Sequence, residues 1–145
     1  MKLRIFLISL LFLLSGCSSE EKNIGKDKTL RIKDRTFKIE IADTSALRSR
    51  GLSGRTSLCK DCGMLFLFPD KEVQDFWMKE MNFPLDIVWI DDDKVIGIAE
   101  NLPPEGESPK NIYGSGKPVN KVLEINGGGA KELGLMIGDK IRYDF

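Results

Sequence analysis

Three groups of side chains have types and spacings that could do chemistry. The first is Cys59-Lys60-Asp61-Cys62. A C-x-x-C pair serves thiol–disulfide exchange, metal binding or a structural disulfide. Exchange of the thioredoxin kind needs the pair at the start of a helix, where the dipole lowers the first thiol's pKa. Gly63 and a run of strand formers follow here instead. A structural zinc site needs about four ligands. The chain has three cysteines and no histidine, so carboxylates or a second chain would have to complete such a site. The third reading is a disulfide pinning a short loop, which an oxidising compartment favours. The loop is small, so little chain entropy is removed.

The second group is Trp77-Met78 with Met81. Two thioethers three residues apart beside an indole suit copper(I), which selects soft sulfur ligands. The plainer reading is packing, since methionine fills irregular gaps in cores.

The third group is charged: Arg48, Arg50, Arg55, Lys79, Asp86, Glu100 and Glu124. Asp86 sits between Leu85 and Ile87, and Glu124 between Leu123 and Ile125. A charge inside an apolar run either faces outward from a strand or faces inward and needs a partner. Turned inward, Arg50 or Arg55 with Asp86 or Glu124 would make a buried ion-pair network. At a cleft, Arg50, Arg55, Trp77, Lys79, Asp86 and Glu124 would bind a small polar ligand, with Trp77, Trp89 or Tyr113 as a stacking surface. A carboxylate-dependent enzyme acting on glycans would need two of Asp86, Glu100 and Glu124 within about 10 Å across a cleft.

Other chemistry is harder to place. Without histidine, no mechanism can draw on imidazole from this chain. No Ser-x-x-Lys or nucleophile-elbow pattern occurs. Gly127-Gly128-Gly129 lacks a P-loop lysine and hydroxyl in register and reads as a turn. No cofactor is implied, and a non-enzymatic binding module is the expected class. The metal or redox accessory built on Cys59, Cys62, Met78 and Met81 is the alternative.

The N-terminus gives an address. Lys2 and Arg4 precede an apolar run, Ile5 to Leu14, broken by Ser9. As a helix this run spans about 15 Å, half of a hydrocarbon core of roughly 30 Å. A signal peptide over residues 1–16 fits better than a membrane span. Leu14-Ser15-Gly16-Cys17 resembles the lipobox of bacterial lipoproteins. That resemblance implies cleavage before Cys17 and lipid on its thiol and amine. Two or three acyl chains would anchor firmly, at about 0.8 kcal/mol per buried methylene. The expectation is an extracytoplasmic lipoprotein of the cell envelope.

Residues 17–28 read as lipidated Cys17 and a polar tether, which reaches at most roughly 35–40 Å. Residues 29–145 read as a single domain of common size. Formal charge is zero for the whole chain and slightly acidic without Lys2 and Arg4. No basic block occurs, so nucleic acid is not an expected partner.

The elements that would position these groups are mostly strands. Leu30 and Ile32, then Phe37, Ile39 and Ile41, alternate with polar residues around Lys33-Asp34-Arg35 and predict a hairpin. Thr44 or Ser45 would cap a short helix running through Arg50 and ended by Gly51. Gly63 to Phe68 reads as a buried strand stopped by Pro69, and Val73 to Met78 as a weaker strand. Ile87–Ile90 and Val95–Ala99 flank Asp91-Asp92-Asp93-Lys94 as a second hairpin. Asn101 to Tyr113 reads as a long loop, Val119 to Ile125 as a strand, Ala130 to Leu133 as a helical turn, and Lys140 to Phe145 as the last strand. The fold class is α+β, mostly β: a small barrel-like or sandwich domain with two short helices.

Several segments together carry a family resemblance: Arg50 to Arg55, Gly63-Met64-Leu65-Phe66, Phe76-Trp77-Met78-Lys79, and Phe83-Pro84-Leu85-Asp86-Ile87. Val95 to Asn101, Val122 to Asn126, Leu133-Gly134-Leu135 and Gly138-Asp139 follow in order. The chain resembles domain-of-unknown-function family 192, also called uncharacterised protein family 0127, over roughly residues 30 to 145. The resemblance implies a mostly-β domain, often exported, and brings no established reaction or catalytic residue. Glu80 stands where the family pattern has Asn.

Overall fold

Period-two alternation places Leu30, Ile32, Phe37 and Ile39 on one side of the first two strands. β1 (Thr29–Ile32) and β2 (Arg35–Ala42) form the expected hairpin, with Ile32 opposite Arg35. Lys33 opens its turn at φ 52°. The computed structural model describes residues 28–145. The signal-type segment, Cys17 and residues 18–27 of the tether lie outside the described residues.

α1 (Ser45–Arg50) begins and ends on the expected residues. Thr44 Oγ1 accepts from the Leu47 N–H at 3.2 Å. Gly51, at φ 50°, donates its N–H to the Leu47 carbonyl. This backbone angle is costly for residues carrying a Cβ, which explains a glycine there.

β3 (Cys62–Glu72) runs parallel to β2 and antiparallel to β8 (Val119–Asn126). The expected stop at Pro69 does not occur. The register with β8 shifts between Leu67 and Glu72, so Pro69 falls in an irregular stretch. A residue without an N–H is tolerated where the ladder is already interrupted.

β5 (Leu85–Asp91) and β6 (Lys94–Leu102) form the second hairpin, each longer than expected. The strand expected over Val73–Met78 contracts to β4 (Asp75–Phe76), which pairs with β7 (Tyr113–Gly114) in a separate two-stranded ribbon. α2 (Gly129–Leu133) ends at Gly134, and β9 (Ile141–Asp144) closes the chain against β1.

The main sheet has seven strands in the order β6-β5-β8-β3-β2-β1-β9. It curls until its outer strands touch at one end. Val95 donates to the Asp139 carbonyl at 2.9 Å, Gly138 to Val95 at 2.8 Å, and Ile141 to Asp93 at 2.8 Å. Leu30 of β1, Val95 of β6 and Ile141 of β9 therefore share one apolar cluster with Leu65, Leu123 and Ile125. This is the inner face of a half-barrel. The outer face of the central strands carries a second cluster, with Met64, Phe66, Ile87, Trp89 and Val122 packed under Leu52, Met78 and Met81. The mostly-β class with two short helices is the observed architecture of the described residues.

Candidate functional site

Glu124 lies in β8, opposite Met64 of β3 on one side and Ile87 of β5 on the other. Cross-strand partners share a face, so Glu124 points into the outer cluster. It is 5% exposed, and its Oε2 has no hydrogen-bond partner among the described residues. Burial pushes its carboxyl up from 4.5 to about 8, against a smaller downward pull from Arg55. Desolvation disfavours the charged form, so Glu124 is mostly neutral at pH 7.

Arg55 is otherwise engaged. Its guanidinium grips Glu40 through two hydrogen bonds of 2.5 and 2.7 Å. This pairing holds Glu40 below the ordinary carboxylate range and raises Arg55. Glu40 stands opposite Met64, so Glu40, Met64, Glu124 and Ile87 form one row across the sheet.

Two chain segments wall the space above this row. Residues 50–54 form one wall and residues 77–82 the other. Ser53 Oγ donates to the Lys79 carbonyl at 2.8 Å, and the Gly54 N–H to the Glu80 carbonyl at 2.9 Å. The Asn82 amide donates to the Arg55 carbonyl at 2.8 Å. The second wall in turn holds the loop that follows β6. Glu105 donates its N–H to Met78, and Glu80 its N–H to Gly106. Phe76 meets Phe66 edge-on, with ring centroids 5.0 Å apart, which fixes the β4 ribbon over the sheet. Trp77 follows directly and is 51% exposed.

Between the walls runs an open groove of about 740 Å³, bordered by Arg50, Trp77, Lys79 and Glu105. A deeper recess of about 220 Å³ reaches Phe66, Phe76 and Glu124. Arg50, Ser53, Trp77 and Met81 border both spaces. Together they make a cleft with a mixed polar rim, one aromatic flank and a neutral acid at its floor.

Arg50, Trp77 and Lys79 border this cleft, and Glu124 floors it. Arg50 is exposed, and its guanidinium makes no hydrogen bond or ion pair among the described residues. Arg55 sits behind the cleft, braced on Glu40. Arg48 is tied to the Asp43 and Leu67 carbonyls at 2.7 and 2.9 Å and lies over the Phe68 ring.

Asp86 is elsewhere, and the expected arginine pairing does not form. Asp86 is fully buried, pairs in register with Ile125 and faces the opposite side of the sheet from Glu124. Its Oδ1 accepts N–H groups from Asn101 at 2.6 Å and Gly128 at 2.9 Å, and its Oδ2 accepts from Ala130 at 2.7 Å. It ties α2 and the end of β6 to β5. Glu100 is exposed on β6 and lines neither space of the cleft. The carboxylate pairs expected from Asp86, Glu100 and Glu124 therefore do not assemble there. Trp89 is buried and Tyr113 half-buried, which leaves Trp77 as the exposed ring at the cleft.

Met78 is fully buried and Met81 nearly so, both inside the outer apolar cluster. Cys59 and Cys62 are joined as a disulfide, Cα atoms 5.1 Å apart. Asn126 donates to the Leu58 and Cys59 carbonyls, and Arg35 grips Asp61 at 2.6 Å. The pair thus pins the loop entering β3.

Sequence reasoning missed Ser53 and Glu80 as wall residues. Glu80 sits at φ 53°, in the left-handed region. Asn is far better tolerated there than Glu. The Asn of the family pattern is therefore accounted for by the backbone, a signal that could have flagged the turn.

Known proteins share this fold. A crystal structure of a Sinorhizobium meliloti protein, provisionally named a transcription regulator, is 35% identical with a TM-score of 0.73. The match covers 80% of this chain and 93% of that one. A protein of unknown function from Novosphingobium aromaticivorans is 36% identical with a TM-score of 0.72, covering 80% of this chain and 83% of its own. No curated protein matches the chain. The model of DUF192, described as "Uncharacterized ACR", matches residues 28–143, so both walls of the cleft, its floor and the sheet beneath lie within the matched region. By that match, the chain belongs to the DUF192 family.

Proposed function

We propose that this protein is a non-enzymatic binding module whose cleft takes a small polar ligand. One observation carries the reading: Glu124 is buried at the cleft floor with an oxygen that no group among the described residues satisfies. Nearly all buried polar side chains have partners, and an unpartnered one needs an explanation. A ligand group would supply the missing bond. The Arg50 guanidinium, unpaired among the described residues, and the half-exposed ring of Trp77 border the same recess. A few convergent polar groups beside apolar surface are what small-molecule sites use.

The reading includes a place of work. The Leu14–Cys17 segment and the basic-apolar run before it support lipid attachment at Cys17 and tethering on the extracytoplasmic side of a bacterial membrane. The ligand would then be an envelope small molecule or a polar group displayed by an envelope protein. A metal or redox role is the lesser reading, because the two thiols are spent in a disulfide and both thioethers are packed in the core.

The test is a thermal-shift screen of small polar compounds against the wild type, Arg50→Ala and Trp77→Ala. At least one compound should raise the melting temperature of the wild type in a dose-dependent way and lose that effect in both variants. Compounds that stabilise all three proteins alike would remove the cleft from the account.

A further inference from the structure

We propose that the cleft binds a neutral saccharide, one ring face lying against Trp77 and one hydroxyl or acetamido group reaching Glu124. The inference rests on the reading of this cleft as a ligand site and narrows it to a chemical class.

The rim supplies the first argument. Arg50, Lys79, Glu80, Glu105 and Glu107 all line the groove, two cations among three carboxylates. Of the other arginines nearby, Arg48 at the edge of the recess is tied to backbone carbonyls and Arg55 to Glu40. An anion would meet the three carboxylates, and a cation would meet Arg50 and Lys79. A neutral ligand with many hydroxyls can use donors and acceptors of both signs, so a rim of mixed charge suits it.

The floor supplies the second. Glu124 is enclosed by Met64, Ile87 and Phe66, with no cation salt-bridged to it among the described residues. At neutral pH its carboxyl is mostly protonated. A carboxylic acid both donates and accepts, which matches a hydroxyl or an amide better than an ammonium group. The flank supplies the third. Trp77 is half exposed at the mouth, and its indole offers a flat apolar surface to the C–H face of a pyranose ring. Ser53, on the opposite wall, borders both parts of the cleft.

The test is a titration of the full chain, followed by backbone NMR shifts and by Trp77 fluorescence. The first probe set is neutral: methyl glucoside, N-acetylglucosamine and chitotriose. The second is charged: glutamate, citrate and spermidine. The account expects saturable shifts at Ser53, Trp77 and Glu124 with a neutral sugar. Binding should weaken at least tenfold in Trp77→Ala and in Glu124→Leu, and stay within about threefold in Glu124→Gln, which keeps a donor and an acceptor. Glu124→Leu removes an unpaired buried polar group and should fold at least as well as wild type. Shifts at the cleft with charged probes alone would overturn the saccharide class and leave the cleft as a site. No shift at the cleft with either set would overturn both.

Discussion

Asp86 and Glu124 are buried carboxylates on neighbouring strands, one register step apart, and they face opposite sides of the same sheet. Asp86 meets three backbone N–H groups. Glu124 keeps an oxygen with no partner among the described residues. The two look alike in sequence, each an acid inside an apolar strand. The first is a fastener of the fold, and the second is a group left available.

That difference predicts opposite responses to mutation. Asp86→Ala strands three N–H groups, which should lower stability by about 3–5 kcal/mol. Chemical denaturation would read this directly. Glu124→Leu should change stability little or raise it, since it replaces an unsatisfied polar group with an apolar one.

Glu124 also predicts a pH dependence. Its carboxyl is raised in the folded state, from 4.5 to about 8. The folded state therefore binds the proton more tightly than the unfolded chain. The contribution is full below about pH 4.5, falls as pH rises, and is gone above about pH 8. The loss should be on the order of a few kcal/mol. Denaturant midpoints measured from pH 5 to 9 should fall in the wild type and fall less in Glu124→Gln.

Glu80 predicts a gain. At φ 53° its side chain carries the left-handed strain that Asn relieves. Glu80→Asn should raise stability by roughly 0.5–1 kcal/mol. A melting-temperature comparison at constant pH checks it.

The Cys59–Cys62 disulfide predicts a modest loss. Closing so short a loop removes up to about 2 kcal/mol of unfolded-state entropy. Asn126 and Arg35 hold the same loop independently. The Cys59→Ser/Cys62→Ser double variant should therefore stay folded, less stable by no more than about 2 kcal/mol. Circular dichroism and denaturation of the double variant measure both points.

Much of the fold was legible along the chain. Strict alternation around Lys33-Asp34 and the acidic turn at Asp92 marked both hairpins, and Thr44 and Gly51 marked both ends of α1. Pro69 misled because a bulge is a property of the pairing with β8, which local sequence does not reveal. The site was half legible for a related reason. Arg50, Trp77 and Lys79 lie on the segments that wall the cleft, and strong local patterns pointed to them. Asp86 and Glu124 could not be told apart, because which face a residue takes depends on register with strands far away in sequence. The partner of Arg55 was hidden in the same way, Glu40 being an unremarkable strand acid until β2 and β3 align.

The most direct test of the central claim is a fragment screen by backbone NMR on the full chain, with hits mapped onto the surface. The account predicts that perturbations cluster at Ser53, Trp77 and Glu124, and that Trp77→Ala abolishes them. A screen whose hits map to another surface, or that leaves Glu124 and Trp77 unmoved, would contradict it.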